Sequence, residues 1–297
     1  MIFSNEQTQD ESRDDPDLPS PQPFLKWAGG KTQLLARLHP LVPRGTRYFE
    51  PFLGGGALFF SCQPARAVLT DVNAKLINAW LTVRDDPEGL IGLLAEYRAH
   101  HGESFYYEVR ARYNSGDLPA LERAAAFIYL NKTGFNGLYR ENGQGYHNVP
   151  FGRYRNPSVF DAGVLRAASR ALREVEIRCQ DFEQVLATAI EGDFVYFDPP
   201  YHPLSGTARF TAYTRNAFGE AQQELLADVF RALDARGCRV LLSNSDTPYI
   251  RALYKDYRID RVRATRAISC VGSGRGGVSE VLVRNYVMRG RRATRRS

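Results

Sequence analysis

The sequence predicts an α/β fold, an open sheet of buried strands interrupted by a helical insertion, and three observations lead there. Residues Phe194 to Phe197 form an apolar, β-rich run of the kind that fills a strand buried on both faces, and the run stops at Asp198-Pro199-Pro200-Tyr201. Tyr48-Phe49-Glu50-Pro51-Phe52-Leu53-Gly54-Gly55-Gly56-Ala57-Leu58 reads as strand, glycine turn and helix start, and Ala67-Val68-Leu69-Thr70-Asp71 follows as a second strand ending in an acid. From residue 75 to 180 this βαβ rhythm is lost. In open α/β sheets ligands lie outside the carboxyl ends of the strands, so Asp-Pro-Pro-Tyr sets a carboxylate, two rigid carbonyls and a ring at the mouth of a crevice.

The first 20 residues are rich in Asp, Glu, Ser, Pro and Gln and read as disordered, with order beginning near Pro23. Phe24-Leu25-Lys26-Trp27-Ala28-Gly29-Gly30-Lys31-Thr32 leads into a helix whose apolar positions Leu34, Leu35 and Leu38 run to a stop at Pro40. Gly30-Lys31-Thr32 is not a phosphate-binding P-loop, because that loop needs a glycine where Leu25 stands and a strand before it. After the glycine turn, Asp71 stands where nucleoside sites place an acid that accepts hydrogen bonds from ribose hydroxyls. A tight structural turn with a solvated acid is the plain alternative at this point.

Leu76 to Leu94 and Leu121 to Leu130 read as helices, with tyrosines and Phe105 interleaved with Arg98, Arg110 and Arg112. The polar, glycine-rich run from Asn131 to Arg155 carries Asn-Gly and Glu-Asn-Gly-Gln-Gly turn signals, which predict a β-hairpin presenting Phe135, Tyr139, Arg140, Arg153 and Arg155. Arginines interleaved with aromatics suit phosphate contact, stacking and bidentate reading of guanine, although a solvated hairpin would look similar. Further on, Ser205 to Asn216 reads as a flexible loop, Glu220 to Ala235 as an amphipathic helix ended by Gly237, and Arg239 to Asn244 as a buried strand. A short helix begins at Ile250, and Ile268 to Cys270 with Val278 to Tyr286 flank a glycine-rich turn as a terminal antiparallel hairpin.

The bulk composition narrows the function classes. The net charge of +6 fits a polyanionic partner, and it belongs to the central part of the chain. Six acids and one base in residues 1–17 offset the five arginines of 289–297. Cys62, Cys179, Cys238 and Cys270 are scattered without C-x-x-C spacing, so reduced thiols, no metal site and a cytoplasmic location are expected. No apolar run approaches a membrane span, and the acidic N-terminus is unlike a secretory signal.

Seven stretches together resemble the Dam-type DNA adenine methyltransferases (D12 class, alpha group). They are Phe24 to Lys31, Pro51 to Gly56, Thr70 to Asn73, Asn131 to Arg140, Asn148 to Arg153, Asp198 to Tyr201 and Glu280 to Tyr286, in the family's order. The resemblance implies a Rossmann-like, S-adenosylmethionine-dependent methyltransferase sheet with an inserted helical target-recognition domain bearing a β-hairpin. It divides the chain into a disordered acidic tail (1–20), a discontinuous catalytic domain (21–73 and 163–288), a recognition domain (74–162) and a disordered Arg-rich tail (289–297).

Carried over residue by residue, the resemblance makes Asp198, Pro199, Pro200 and Tyr201 catalytic. Trp27, Lys31, Phe52, Gly54, Gly56, Asp71 and Asp198 become the residues that bind S-adenosylmethionine, with S-adenosylhomocysteine as product and no metal. Phe135, Asn136, Leu138, Arg140 and Arg153 become contacts to double-stranded DNA, Arg153 matching a residue that reads guanine in members recognising GATC. Phe135 stands where some relatives have tyrosine, and the tails have no counterpart. The implied activity is methylation of adenine N6, on a base flipped out of the duplex, by a monomer in a bacterial or phage setting. Methylation of cytosine N4 and a DNA-binding module without catalysis are the rival readings, and a companion restriction endonuclease stays open.

Overall fold

The computed structural model describes residues 19–203, 218–264 and 278–288. The acidic tail up to residue 18, the arginine-rich tail 289–297, the loop expected at Ser205 to Asn216, and the strand expected at Ile268 to Cys270 with its glycine turn lie outside these residues. Each apolar run becomes a strand: β1 is Tyr48–Glu50, β2 Ala67–Asp71, β3 Glu176–Cys179, β4 Phe194–Phe197, β5 Arg239–Ser245, β6 Arg258–Ala264 and β7 Val278–Arg284. The helices are α1 (Leu35–Leu38), α2 (Ala57–Cys62), α3 (Ala74–Asp85), α4 (Pro87–Ala99), α5 (Glu103–Ser115), α6 (Ala120–Thr133), α7 (Ala162–Leu172), α8 (Val185–Thr188), α9 (Glu220–Ala235) and α10 (Pro248–Leu253).

The strands form one sheet in the order β3-β2-β1-β4-β5-β7-β6. β1 to β5 run parallel, and β7 is antiparallel to both β5 and β6. From β1 the chain steps outward to β2 and β3, then returns to lay β4 on the other side of β1. That reversal is the topological switch point at which doubly wound sheets open a crevice for ligands. Tyr48 lies beside Phe194 and Phe49 beside Val195. The glycine turn after β1 and Asp198 after β4 therefore leave neighbouring strand ends.

The period-two alternation of strands divides the core. Tyr48, Phe194, Tyr196, Leu241 and Leu282 join one apolar cluster, which includes Trp80 of α3 and Phe127 of α6. Phe49, Val195, Phe197, Val240 and Leu242 join the other, against Leu226, Val229, Phe230 and Leu233 of α9. All of β4 is buried, as a central strand covered on both faces requires. α3 contacts β2 and β3 as well as α6 and α7, so it joins the sheet to the inserted helices.

Four expectations are corrected. The helix expected from Leu76 to Leu94 is two helices, because Asp86 leaves helical geometry, accepts a hydrogen bond from Gly89 N, and hands α4 a proline at its first turn. Residues 75–180 do contain a sheet strand, β3, an edge strand in which only Ile177 is buried, so no apolar run announces it. The terminal hairpin pairs β7 with β6 at 258–264, whose arginines and Asp260 suit an exposed edge and conceal a strand from an apolar count. In the insertion, the expected β-hairpin is reduced to the isolated antiparallel bridges Gly134–Phe151 and Glu141–His147. Asn136 turns to φ 55° there, and Pro150 has no N–H for a ladder.

Candidate active site

Pro199 and Pro200 end β4 because neither can donate to a neighbouring strand. Lys31 reaches the same point from the N-terminal segment: its Nζ lies 2.7 Å from Asp198 Oδ1. The Lys31 ammonium also donates to Gly29 O at 2.5 Å and sits 4.7 Å from the centre of the Tyr201 ring. Tyr201 in turn donates from its hydroxyl to Glu280 Oε2 of β7 at 2.8 Å. A second buried acid, Glu50 at the end of β1, accepts from Tyr48 OH at 2.7 Å.

Burial sets the charge states here. It lifts the Asp198 carboxyl from its ordinary 3.8 to about 6; Lys31 opposes the rise, and the Glu280 charge adds to it. Burial lifts Glu50 further, to about 8, against the Tyr48 hydrogen bond and with the Asp198 charge helping. At neutral pH, Asp198 is therefore mostly ionised opposite Lys31 while Glu50 holds its proton. Two acids on adjacent strand ends are thereby assigned different states, the kind of separation found where a carboxylate has work to do.

The glycine turn is built for close approach. Gly54 has φ 48°, and a Cβ there would come within 2.6 Å of Trp27 Cδ1. Gly56, at φ 61°, would meet the buried Trp80 ring at 2.4 Å, so the close packing of Trp80 excludes a side chain there. Asp71 ties the turn to the end of β2: Oδ2 accepts from Gly54 N at 3.1 Å and Oδ1 from Asn73 N at 3.0 Å. Asn73 then caps α3, accepting from Lys75 N and Leu76 N. Each Asp71 oxygen keeps a further lone pair, so a diol could still be bound. Bare backbone at Gly54, the Trp27 ring and this acid form a donor set that fits a nucleoside joined to a cationic group. Phe52, in the same turn, packs with Phe182 (5.3 Å between centroids), Phe197 and Phe218.

Besides Trp80 Nε1, which donates to Gly54 O at 3.1 Å, and Phe127, which stacks on Trp27 at 6.2 Å, the insertion meets the site through two further contacts. Asn131 of α6 accepts from Lys26 N at 2.9 Å and donates to Lys26 O at 2.7 Å, fixing the segment that carries Trp27 and Lys31. Tyr139 stacks on Trp27 at 5.7 Å and 20°, and its hydroxyl bonds Glu141, which Lys75 of α3 also holds at 2.7 Å. Around them, Phe135 is half exposed, Asn136 and Arg153 are exposed, Leu138 is half-buried, and Arg140 is exposed with its Nε on Asn148 Oδ1 at 2.8 Å. The loop is closed by Phe135 N to Pro150 O and Gly152 N to Thr133 O, both 2.9 Å. Asn136 (φ 55°) and Arg153 (φ 53°) join Gln63 as the non-glycine residues at positive φ among the described residues. That costs about 1 kcal/mol each and recurs where a segment is shaped for function.

Lys31, Asp198 and Tyr201 thus form one group, with Trp27, Gly54 and Asp71 as its neighbour across the crevice. Phe135, Asn136, Arg140 and Arg153 stand apart from that group, on the exposed part of the insertion. Four functional candidates escaped the sequence reading: Asn131, Gln223, Asn244 and Glu280. The signal that could have found Asn244 is polarity inside an apolar element, since Ser243, Asn244 and Ser245 end a strand that begins Val240-Leu241-Leu242, and all three are fully buried; Gln223, among polar residues of α9, gives no such signal.

The family model of the D12 class N6 adenine-specific DNA methyltransferases matches residues 27–268. A type II methyltransferase of Lactococcus lactis subsp. cremoris, M1.LlaDCHI, is 43% identical over 271 residues, covering 89% of this chain and 95% of that one. Type II methyltransferase M.MjaIII of Methanocaldococcus jannaschii is 41% identical, covering 89% of this chain and 99% of its own. The DNA adenine methylase of Escherichia coli K12 is 38% identical over 261 residues, covering 87% and 93%. The match spans the Lys31–Asp198 pair, the glycine turn with Asp71 and the whole inserted segment. The chain belongs to the D12 class of N6 adenine-specific DNA methyltransferases.

Proposed function

We propose that the protein methylates the exocyclic N6 of adenine within GATC in double-stranded DNA, after extruding the base from the stack. The observation that carries the reading is Asp198-Pro199-Pro200-Tyr201 at the sheet's switch point, facing Lys31 and beside the bare turn at Gly54. Trp27, Gly54 and Asp71 would hold S-adenosylmethionine, which supplies an electrophilic methyl group on a sulfonium.

The adenine amino group is a poor nucleophile because its lone pair is delocalised into the ring, and it lies inside the duplex, so the base must leave the stack. Asp198 accepts a hydrogen bond from one amino hydrogen and the carbonyl of Pro199 from the other. Both favour a pyramidal nitrogen with its lone pair available. Positive charge grows on that nitrogen during transfer, so a fixed carboxylate stabilises the transition state more than the ground state. Lys31 keeps Asp198 ionised and aimed, and the Tyr201 ring offers a stacking face to the extruded base. Phe135 can fill the space the base leaves, while Arg140 and Arg153 reach for base edges, where a bidentate arginine selects guanine. One chain supplies every residue named, so the reading needs no second subunit.

The test is to incubate the protein with S-adenosylmethionine and unmethylated plasmid, then sequence the product with a method that reports methylated bases. Methylation at the A of GATC is the expected result. N6-methyladenine in another context would overturn the target, N4-methylcytosine the acceptor, and bound but unmethylated DNA the catalytic reading.

A further inference from the structure

The tail of β5 poses a physical question. Ser243, Asn244 and Ser245, and Gln223 on α9, are uncharged polar side chains with no exposure at all. Left unpaired there, each would lose its hydration with nothing to offset it. Ser243 pairs with Tyr196 OH at 2.8 Å, and the other three pair with one another and with the backbone of the catalytic segment. Gln223 Nε2 donates to Pro200 O at 2.9 Å, and Asn244 Nδ2 donates to Gln223 Oε1 at 3.0 Å. Asn244 Oδ1 accepts from His202 N at 3.1 Å and from Ser245 N at 2.8 Å, while Ser245 Oγ donates to His202 O at 2.6 Å. The carbonyl of Pro200 and both backbone polar groups of His202 are thus fastened from behind.

The part of the fastening made by Gln223 and Asn244 acts from the opposite face of the sheet. Asn244 lies level with Val281, in the layer of α9, whereas Glu280 and Asp198 project to the other side, where Lys31 and Tyr201 meet them. Each residue preceding a proline is driven to extended or polyproline geometry, in which successive carbonyls point in different directions. With Pro200 O committed to Gln223, the carbonyl of Pro199 is turned away from α9. In the proposed reading the Pro199 carbonyl is the second acceptor beside Asp198, since that of Pro200 is taken by Gln223.

We propose that Gln223 and Asn244 are positioning residues for methyl transfer, fixing the Pro199 carbonyl toward the substrate amine by holding Pro200 and His202. This rests on the reading of Asp198 and Pro199 as the pair that binds the amino group. Neither side chain touches substrate; both act through the backbone they hold.

The experiment measures kcat at saturating DNA and S-adenosylmethionine, together with the binding of each, for Asp198→Ala, Gln223→Met, Gln223→Glu and Asn244→Ala. Gln223→Met keeps the volume and removes the donor; kcat should fall about 10- to 100-fold, the scale of a small misplacement of a reacting group. Dissociation constants should stay within about twofold, which a general loss of structure would not allow. Gln223→Glu supplies the second readout. Its introduced carboxyl can donate to Pro200 O when protonated and repels that oxygen when ionised, so the ratio of its kcat to the wild-type value should rise as pH is lowered. Wild-type kcat in Gln223→Met, or a ratio for Gln223→Glu that does not change with pH, would overturn the proposal, and the Glu variant decides the matter if the Met variant fails to fold. An inactive Asp198→Ala beside fully active Gln223 and Asn244 variants would remove the positioning role alone, whereas an active Asp198→Ala would remove the amine clamp on which it rests.

Discussion

The two segments to which the proposed function assigns the substrate are held in opposite ways. Residues 198–202 leave a central strand and have backbone atoms paired to fully buried side chains on β5 and α9, with Lys31 and Glu280 gripping the other side. Residues 134–153 are closed by isolated bridges and short turns, and Phe135, Asn136, Arg140 and Arg153 stand at the surface. The difference follows from what each must do. A reacting nitrogen has to be placed to a fraction of an ångström, which a preorganised site supplies before substrate arrives. Base edges in a groove are reached by long side chains that can be ordered on binding, and strain at Asn136 and Arg153 already biases their direction.

The largest effect should come from breaking the rigid segment. Asp198→Ala is expected to lower kcat by about a thousandfold or more while DNA binding is kept, because it removes an acceptor used mainly in the transition state. The same carboxylate predicts the pH profile. With Asp198 lifted to about 6, kcat/KM should rise with pH through an apparent value near 6 and level off above it. A profile flat from pH 5 to 7 would remove Asp198 from the chemistry.

In the recognition segment the same kind of truncation should give a smaller, sequence-selective loss. Arg153→Ala is expected to cost about 1–3 kcal/mol of discrimination at one base pair, roughly 10- to 100-fold in relative kcat/KM between GATC and a single-base variant. Methylation of GATC with unchanged preference would show that Arg153 serves only as a phosphate contact or a structural turn.

Tyr139 sharpens the comparison because it belongs to the second segment yet stacks on Trp27, a residue proposed to hold the cofactor. It lies between Leu138 and Arg140 in sequence and stacks on Trp27. An aromatic pair of this kind contributes about 0.5–1.5 kcal/mol, so Tyr139→Ala should weaken S-adenosylmethionine binding about 2- to 10-fold in a calorimetric titration without DNA. Tyr139→Phe should keep most of the affinity, since the ring and not the hydroxyl makes the stack. Unchanged binding in Tyr139→Ala would leave the two segments independent.

The rigid segment was the more legible of the two in the sequence. Asp-Pro-Pro-Tyr after an apolar run, and glycines between a strand and a helix, are local signals whose physics does not depend on distant residues. Legibility ended where an element is defined by its partners. β3 and β6 are edge strands with few buried side chains, and only the neighbouring strand makes them visible. Asn131, Gln223 and Glu280 act on backbone or rings 23 to 105 residues away, so nothing beside them in the chain announces their use. In the recognition loop the turn signals were readable, but they suggested continuous strands where the chain forms a tight turn at Phe135–Gly137.

The smallest expected effect tests how the rigid segment is maintained, not what it does. Glu50 is 3% exposed, and its carboxyl is lifted to about 8, mainly by burial, so the folded protein binds that proton more tightly than the unfolded chain, in which the ordinary value is 4.5. Between about pH 4.5 and 8 the folded state therefore holds more protons, and stability must fall as pH rises through that window. Asp198, lifted from 3.8 to about 6, contributes in the same direction at lower pH. Glu50→Gln keeps an acceptor for Tyr48 OH and cannot ionise, so it should flatten the dependence of the melting temperature on pH and raise the melting temperature at pH 8 and above. Near pH 5, where Glu50 is protonated, the two proteins should melt alike. A variant that melts lower than wild type at every pH would mean that the Glu50 charge itself stabilises the crevice, and that β1 meets Asp198 with a second carboxylate instead of a neutral acid.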